Sequence, residues 1–164
     1  MVTNKFFIAD PYNDNHIKLF EAFEKKNDRK KTISKHLKEI QKKYDKRLYD
    51  KVVLNSNDIN ETLFDINNDE VDYYTHISGE KDRKVCELFF VGLKDKNKMN
   101  KVIKNVTDYA LNNLGMEQIF VSTTYEDKIR ESLLNNGYED IGDVNGKDTF
   151  LREKIDVKEI GKKL

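Results

Sequence analysis

One acid interrupts an otherwise apolar run, Val85-Cys86-Glu87-Leu88-Phe89-Phe90-Val91. A carboxylate withdrawn from water beside Leu88 and Phe89 is a stronger proton acceptor than one in solvent, which makes Glu87 a candidate general base. The plainer account of the same residue is a salt-bridged glutamate at a strand edge. A few positions later Lys94, Lys96, Lys98 and Lys101 punctuate a polar stretch, and they read equally well as direct charge contacts to phosphate or as a solvated lysine loop. His76 either faces a ligand pocket or lies in solvent on the polar side of a hairpin. His16, His36, His76 and Cys86 have no metal-ligand spacing, and nothing matches a nucleophile elbow, a Walker loop or a dinucleotide-binding glycine motif.

Those side chains need elements to position them, and the pattern supplies a β-α opening. Residues 5–10 (KFFIAD) read as a short strand, after which Pro11, Asn13 and Asp14 turn the chain and cap a helix through 16–26. A joint at 28–32 leads to a second helix capped by Thr32 or Ser34, with Ile33, Leu37, Ile40, Tyr44 and Leu48 on one stripe. Three β runs follow at 62–66, 71–77 and 83–91, separated by turn residues, and the third reads as a central strand buried on both sides. Val102, Ile103, Val106, Tyr109, Ala110 and Leu114 then mark a helix ended by Gly115. A strand at 118–122, a helix at 126–136 ended by Gly137, and two strands joined at Asn145-Gly146 complete the chain. The order is β-α-α-β-β-β-α-β-α-β-β, an α/β sandwich in one domain over 1–154 with a polar tail at 155–164. The unit 85–122 is expected to be a right-handed crossover between parallel strands, and ligands of open α/β sheets favour the crevice at the carboxyl ends of such strands.

The 164 residues, 37% hydrophobic and 37% charged, describe a small core under a heavily solvated surface, with nine Phe and eight Tyr carrying much of the apolar area. The single Cys86 forms no intramolecular disulfide and reads as a small buried hydrophobe, and no run approaches a membrane span of about 18 apolar residues. A cytoplasmic protein with no membrane partner is expected. The 30 basic and 30 acidic side chains cancel overall, yet residues 1–51 carry a net +6 and the rest a net −6. The basic part is nearly all lysine, which favours a solvated face over base and phosphate readout and argues against a nucleic-acid partner.

The stretch Gly115-Met116-Glu117-Gln118-Ile119-Phe120-Val121-Ser122, followed by Ile129 to Gly142 with its Asn135-Asn136-Gly137-Tyr138 helix ending, resembles the GNAT-type N-acetyltransferases over most of the chain. The resemblance implies a mixed, mostly antiparallel sheet flanked by helices and splayed between its fourth and fifth strands. It implies acetyl-CoA held in that splay, beside the strand ends at Val91 and Ser122 where the open-sheet rule already places a ligand, and transfer of the acetyl group to an amine. It places the pyrophosphate loop on Lys96, Asn97, Lys98, Met99, Asn100 and Lys101, with Met99 and Lys101 where the family has glycines. It places Leu133 where many members have the tyrosine that reprotonates the coenzyme thiolate, and leaves Tyr125 as a phenol at a different point. Glu87 falls on the fourth strand, where a base would take the amine proton.

Three readings follow. The first is an acyl-CoA-dependent N-acetyltransferase with Glu87 and Tyr125 as catalytic candidates. The second is a GNAT-like domain without catalysis that binds or regulates. The third is an interaction domain working through the basic N-terminal helices, for which the Lys-rich face would suit an acidic partner. The acceptor is not specified, and a homodimer is left open.

Overall fold

The computed structural model describes residues 6–123 and 127–154. Candidate Tyr125 and the tail at 155–164 therefore lie outside the described residues.

The elements run β1 (Phe7–Ile8), α1 (Asp14–Lys26), α2 (Thr32–Lys43), α3 (Lys46–Asn55), β2 (Asp58–Asn67), β3 (Glu70–Glu80), β4 (Val85–Val91), α4 (Lys96–Asn112), β5 (Gln118–Thr123), α5 (Asp127–Asn135), β6 (Glu139–Val144) and β7 (Lys147–Glu153). One seven-stranded sheet has the order β1-β2-β3-β4-β5-β7-β6, antiparallel except for the parallel β4–β5 pair. The expected mixed sheet and the parallel crossover are both present.

Local chemistry explains most boundaries. Asn13 caps α1 by accepting the Asn15 and His16 N–H groups at 3.0 and 3.3 Å, and Lys25 and Lys26 complement the dipole at its other end. The Asn145-Gly146 hairpin forms with both residues at positive φ, 55° and 81°, as a tight turn of that kind requires.

The single helix expected from Ile33 to Leu48 is instead two. Tyr44 is extended, its carbonyl accepts the Tyr12 hydroxyl at 2.7 Å, and Asp45 starts a new helix by accepting the Leu48 N–H at 2.8 Å. The α2 cap differs as well. Neither Thr32 nor Ser34 caps it, and the buried Glu24 of α1 reaches across to accept the Ile33 and Ser34 N–H groups, each at 3.2 Å. A carboxylate at a helix N-terminus satisfies orphan donors and suits the dipole, so here a tertiary contact replaces a local one.

Two cores lie on opposite faces of the sheet. On one face α4 and α5 pack Ile103, Val106, Ala110 and Leu133 against Ile77, Cys86, Leu88 and Ile119. On the other, α1 packs Ile17, Phe20 and Phe23 against Phe64, Tyr74 and Val91. Because that second layer reaches only the β2–β3 side and the end of β4, β4 is not buried on both sides as its composition suggested. Cys86 and Leu88 are buried, while Glu87 and Phe89 alternate onto an exposed face.

Gly137, after α5, has φ +84°, and a Cβ there would lie 2.9 Å from Nε of Arg152. Gly137→Ala is therefore expected to destabilise the fold by about 1–3 kcal/mol, read as a lowered thermal midpoint. An unchanged midpoint would contradict this account of the turn.

Candidate active site

The central feature of the site is a ladder that stops early. β4 and β5 pair from Val85↔Gln118 to Leu88↔Val121 and no further, although both strands continue. β4 stays paired to β3 as far as Val91, and β5 stays paired to β7 as far as Thr123. Each strand is held by its outer neighbour while the two part from one another. The inner backbone edge of Phe89, Phe90 and Val91 thus faces an opening at the middle of the sheet, where an extended ligand can pair with it.

α4 begins just beyond this opening. Gly92 turns the chain at φ +80°, and Asp95 caps the helix by accepting the Asn97 N–H through its side chain at 2.9 Å. The Asp95 carbonyl accepts the Lys98 and Met99 N–H groups at 3.0 and 3.1 Å. Lys96, Asn97, Asn100 and Lys101 are exposed around this helix start. Met99, at a position where a glycine was expected, turns its side chain into the core and is 1% exposed, so it does not stand over the helix end. Lys98 is committed elsewhere. Its ammonium lies 2.9 Å from the Asp72 carboxylate, and that hydrogen bond raises its pKa.

Glu87 lies on the sheet face opposite Cys86 and Leu88, on the floor of a cleft of about 610 Å³ shared with Ser78, Phe120, Ser122, Lys147 and Thr149. In register it sits beside Ser78 on β3 and Phe120 on β5. It forms no hydrogen bond or ion pair with the described residues, so neither the buried position nor the salt-bridged one anticipated from sequence is realised. Phe89, two residues on, leaves half its surface exposed on the same face. A carboxylate with no partner among the described residues, on the same sheet face as Phe89 and beside Phe120 in register, can receive an ammonium group.

The remaining candidates separate cleanly. His76 is half-buried with Nδ1 2.9 Å from the Thr62 hydroxyl, and burial, followed by the nearby His36, lowers its pKa. It does not line the cleft. Leu133 is fully buried in the core, leaving no phenol at that position. Cys86 is a buried thiol whose pKa is pushed up to about 12 by desolvation, which matches its reading as a small hydrophobe. Tyr138 is buried with its hydroxyl 2.7 Å from that of Thr107 and anchors α5 rather than reaching the opening.

Three residues of the site escape a reading of the sequence. Asp95 carries a signal, since an aspartate one residue before a helix is a standard cap. Phe89 looks like core because it sits in a continuous apolar run. Asn136, whose amide donates to the Asn100 carbonyl at 3.2 Å and the Ser132 carbonyl at 2.8 Å, ties the end of α5 to the first turns of α4, and nothing in its spacing announces that reach.

No family model matches the sequence, and no curated protein matches it. Solved structures do. The N-acetyltransferase PseH of Campylobacter jejuni, in complex with acetyl coenzyme A, superposes with a TM-score of 0.60 over 92% of this chain and 99% of its own, at 13% identity. The fold is that of the GNAT-type N-acetyltransferases. A point mutant of the spermidine N-acetyltransferase SpeG of Vibrio cholerae matches with a TM-score of 0.58 over 92% of this chain and 95% of its own, at 10% identity. The parted β4–β5 pair is where the sequence resemblance placed the GNAT splay. The expected coenzyme arm would run through this opening and bring its phosphates toward the exposed lysines at the α4 start, where the carboxylates of Asp95 and Asp72 are opposing charges among the described residues.

That fit gives an expected result. Reversing Lys96 and Lys101 together to Glu, with Lys98 and its Asp72 partner left intact, should weaken acetyl-CoA binding by about tenfold, each exposed charge contributing on the order of 1 kcal/mol or less. Calorimetry at two salt concentrations checks it. Unchanged affinity would remove these two lysines from the phosphate site.

Proposed function

We propose that this chain is an acyl-CoA-dependent N-acetyltransferase acting on an amine that enters the Glu87 cleft. The observation that carries this reading is the parting of β4 and β5 after Leu88 and Val121, which leaves an unpaired backbone edge at the centre of the sheet with Glu87 one residue from the fork. Acetyl-CoA, when bound, supplies an activated thioester acyl group. Backbone groups of Phe89 to Val91 hold the arm of the donor, and an N–H near Val91 is placed to polarise an acyl carbonyl. Lys96, Asn97, Asn100 and Lys101 surround the phosphate end, and Ser122 borders the opening from β5. The carboxylate of Glu87 binds the acceptor as its ammonium, and Glu87 or a water relay takes the proton that the amine must lose before it is nucleophilic. Phe89 and Phe120 flank that ammonium. The protein is proposed to work in the cytoplasm; no helix among the described residues is long and apolar enough to cross a membrane.

Leu133 and Asp95 support a second reading, a coenzyme-binding module without turnover, since the first removes a proton donor and the second places negative charge at the phosphate end. One assay separates them. Release of coenzyme thiol is followed with acetyl-CoA and a panel of small amines, peptide N-termini and lysine peptides. Turnover with any acceptor supports the transferase. Binding of acetyl-CoA with no turnover across the panel supports the module.

A further inference from the structure

A second concavity lies away from the β4–β5 opening. Among the described residues the outer edge of β2 from Asp58 to Glu61 has no strand neighbour, because β1 pairs only with Leu63 and Phe64 and the next contact is the Ala9 N–H donated to the Thr62 carbonyl at 2.8 Å. α2 and α3 stand over that edge and leave a groove of about 730 Å³, a volume in the range of small-molecule sites. Its walls are apolar, with Ile8, Leu37, Ile40, Val53, Leu54 and Leu114 facing in. α3 buries none of its residues, and Leu54 is 77% exposed, so among the described residues this wall is only partly covered, mainly by the Tyr12 ring against Tyr49.

The groove is also acidic. Asp10, Asp50, Asp58 and Glu61 line it, and none of the four forms an ion pair with a described residue. Glu61 accepts the Tyr109 hydroxyl at 2.6 Å, and Asp10 accepts the Tyr12 N–H at 2.9 Å, which orients two of these carboxylates without neutralising them. The opposing cations are Lys46 and Lys81, with His36 on α2, and the Lys81 ammonium is already directed at the Val53 carbonyl, 3.0 Å away. Tyr49 on the same wall reports the field. Its pKa is raised by burial first and then by Tyr12, Asp10, Glu61 and Asp50.

We infer that this groove binds an amphipathic cation, an amine carried on an apolar body, with the chain of the ligand against α2 and α3 and its ammonium among Asp10, Asp50 and Glu61. The groove is separate from the Glu87 cleft, and the inference does not depend on acyl transfer.

The test uses n-octylammonium as the probe, with octanoate, octanol and spermine as controls, followed by calorimetry and by amide shifts of Tyr49, Val53 and Ile59 in the full chain. Saturable binding with Kd on the order of 10⁻⁴ M is expected for octylammonium. Octanoate and octanol should bind at least about tenfold more weakly, since they lack the charge the carboxylates select. Asp50→Lys, on an exposed helix position, should weaken octylammonium about fivefold or more without lowering the thermal midpoint. Equal binding of octanol, equal binding of spermine, or an unaffected Asp50→Lys variant would overturn the assignment. So would sedimentation showing that a second copy of the chain covers α3 and excludes the probe.

Discussion

Glu87→Gln is expected to lower kcat for acetyl transfer by about 10²- to 10³-fold while leaving the affinity for acetyl-CoA unchanged. Glutamine keeps the shape of the side chain and its place between Ser78 and Phe120, and it removes the negative charge and the ability to take a proton, so KM for the acceptor should rise as well. Because Glu87 is exposed and makes no contact that holds the fold together, the thermal midpoint should stay where it is. Steady-state kinetics with separately measured coenzyme binding provides the check. A loss confined to KM would make Glu87 a residue that binds the ammonium and leaves the proton to water.

Phe20→Ala should be the most damaging single truncation on the α1 side. Phe20 is fully buried, and its ring meets Phe64 at 5.0 Å and Tyr74 at 5.7 Å, both edge-on. Removing it leaves a cavity that neighbouring rings cannot collapse into without losing their own contacts, at a cost of about 3–5 kcal/mol. Chains of this size have total stabilities of about 5–15 kcal/mol, so the loss should appear as a fall of about 10 °C or more in thermal midpoint. The same layer carries Val91 at the end of β4, so weaker binding in the β4–β5 opening should accompany it. A midpoint shift below a few degrees would mean that α1 is held mainly by other contacts, with the Glu24 cap of α2 the first to examine.

The element order is legible in the sequence because most of its signals are local. Turn chemistry at 67–69 and Asn145-Gly146, the α4 stripe and Gly115 all depend on near neighbours in the chain, and all stand in the structure. The misreadings arise where a partner distant in sequence decides the outcome. The Ile33–Leu48 stripe is continuous in period, yet Tyr12 from before α1 takes the Tyr44 carbonyl and the helix breaks there. Composition makes β4 look doubly buried, and only the lateral extent of the α1 layer determines that Glu87 and Phe89 lie open. Lys98 reads as a phosphate ligand until the sheet brings to it Asp72, 26 residues earlier in the chain. The missing family glycines are plain in the sequence, but their consequence is not, since helical phase turns Met99 inward.

Calorimetric titration of the purified chain with acetyl-CoA, with coenzyme A alongside, shows whether the β4–β5 opening receives the donor. Saturable binding with Kd of about a micromolar to tens of micromolar is expected, weakened at high salt as the α4 lysines are screened. No heat at millimolar acetyl-CoA would contradict it, and the parted strands would then be a feature of the fold with no coenzyme to receive.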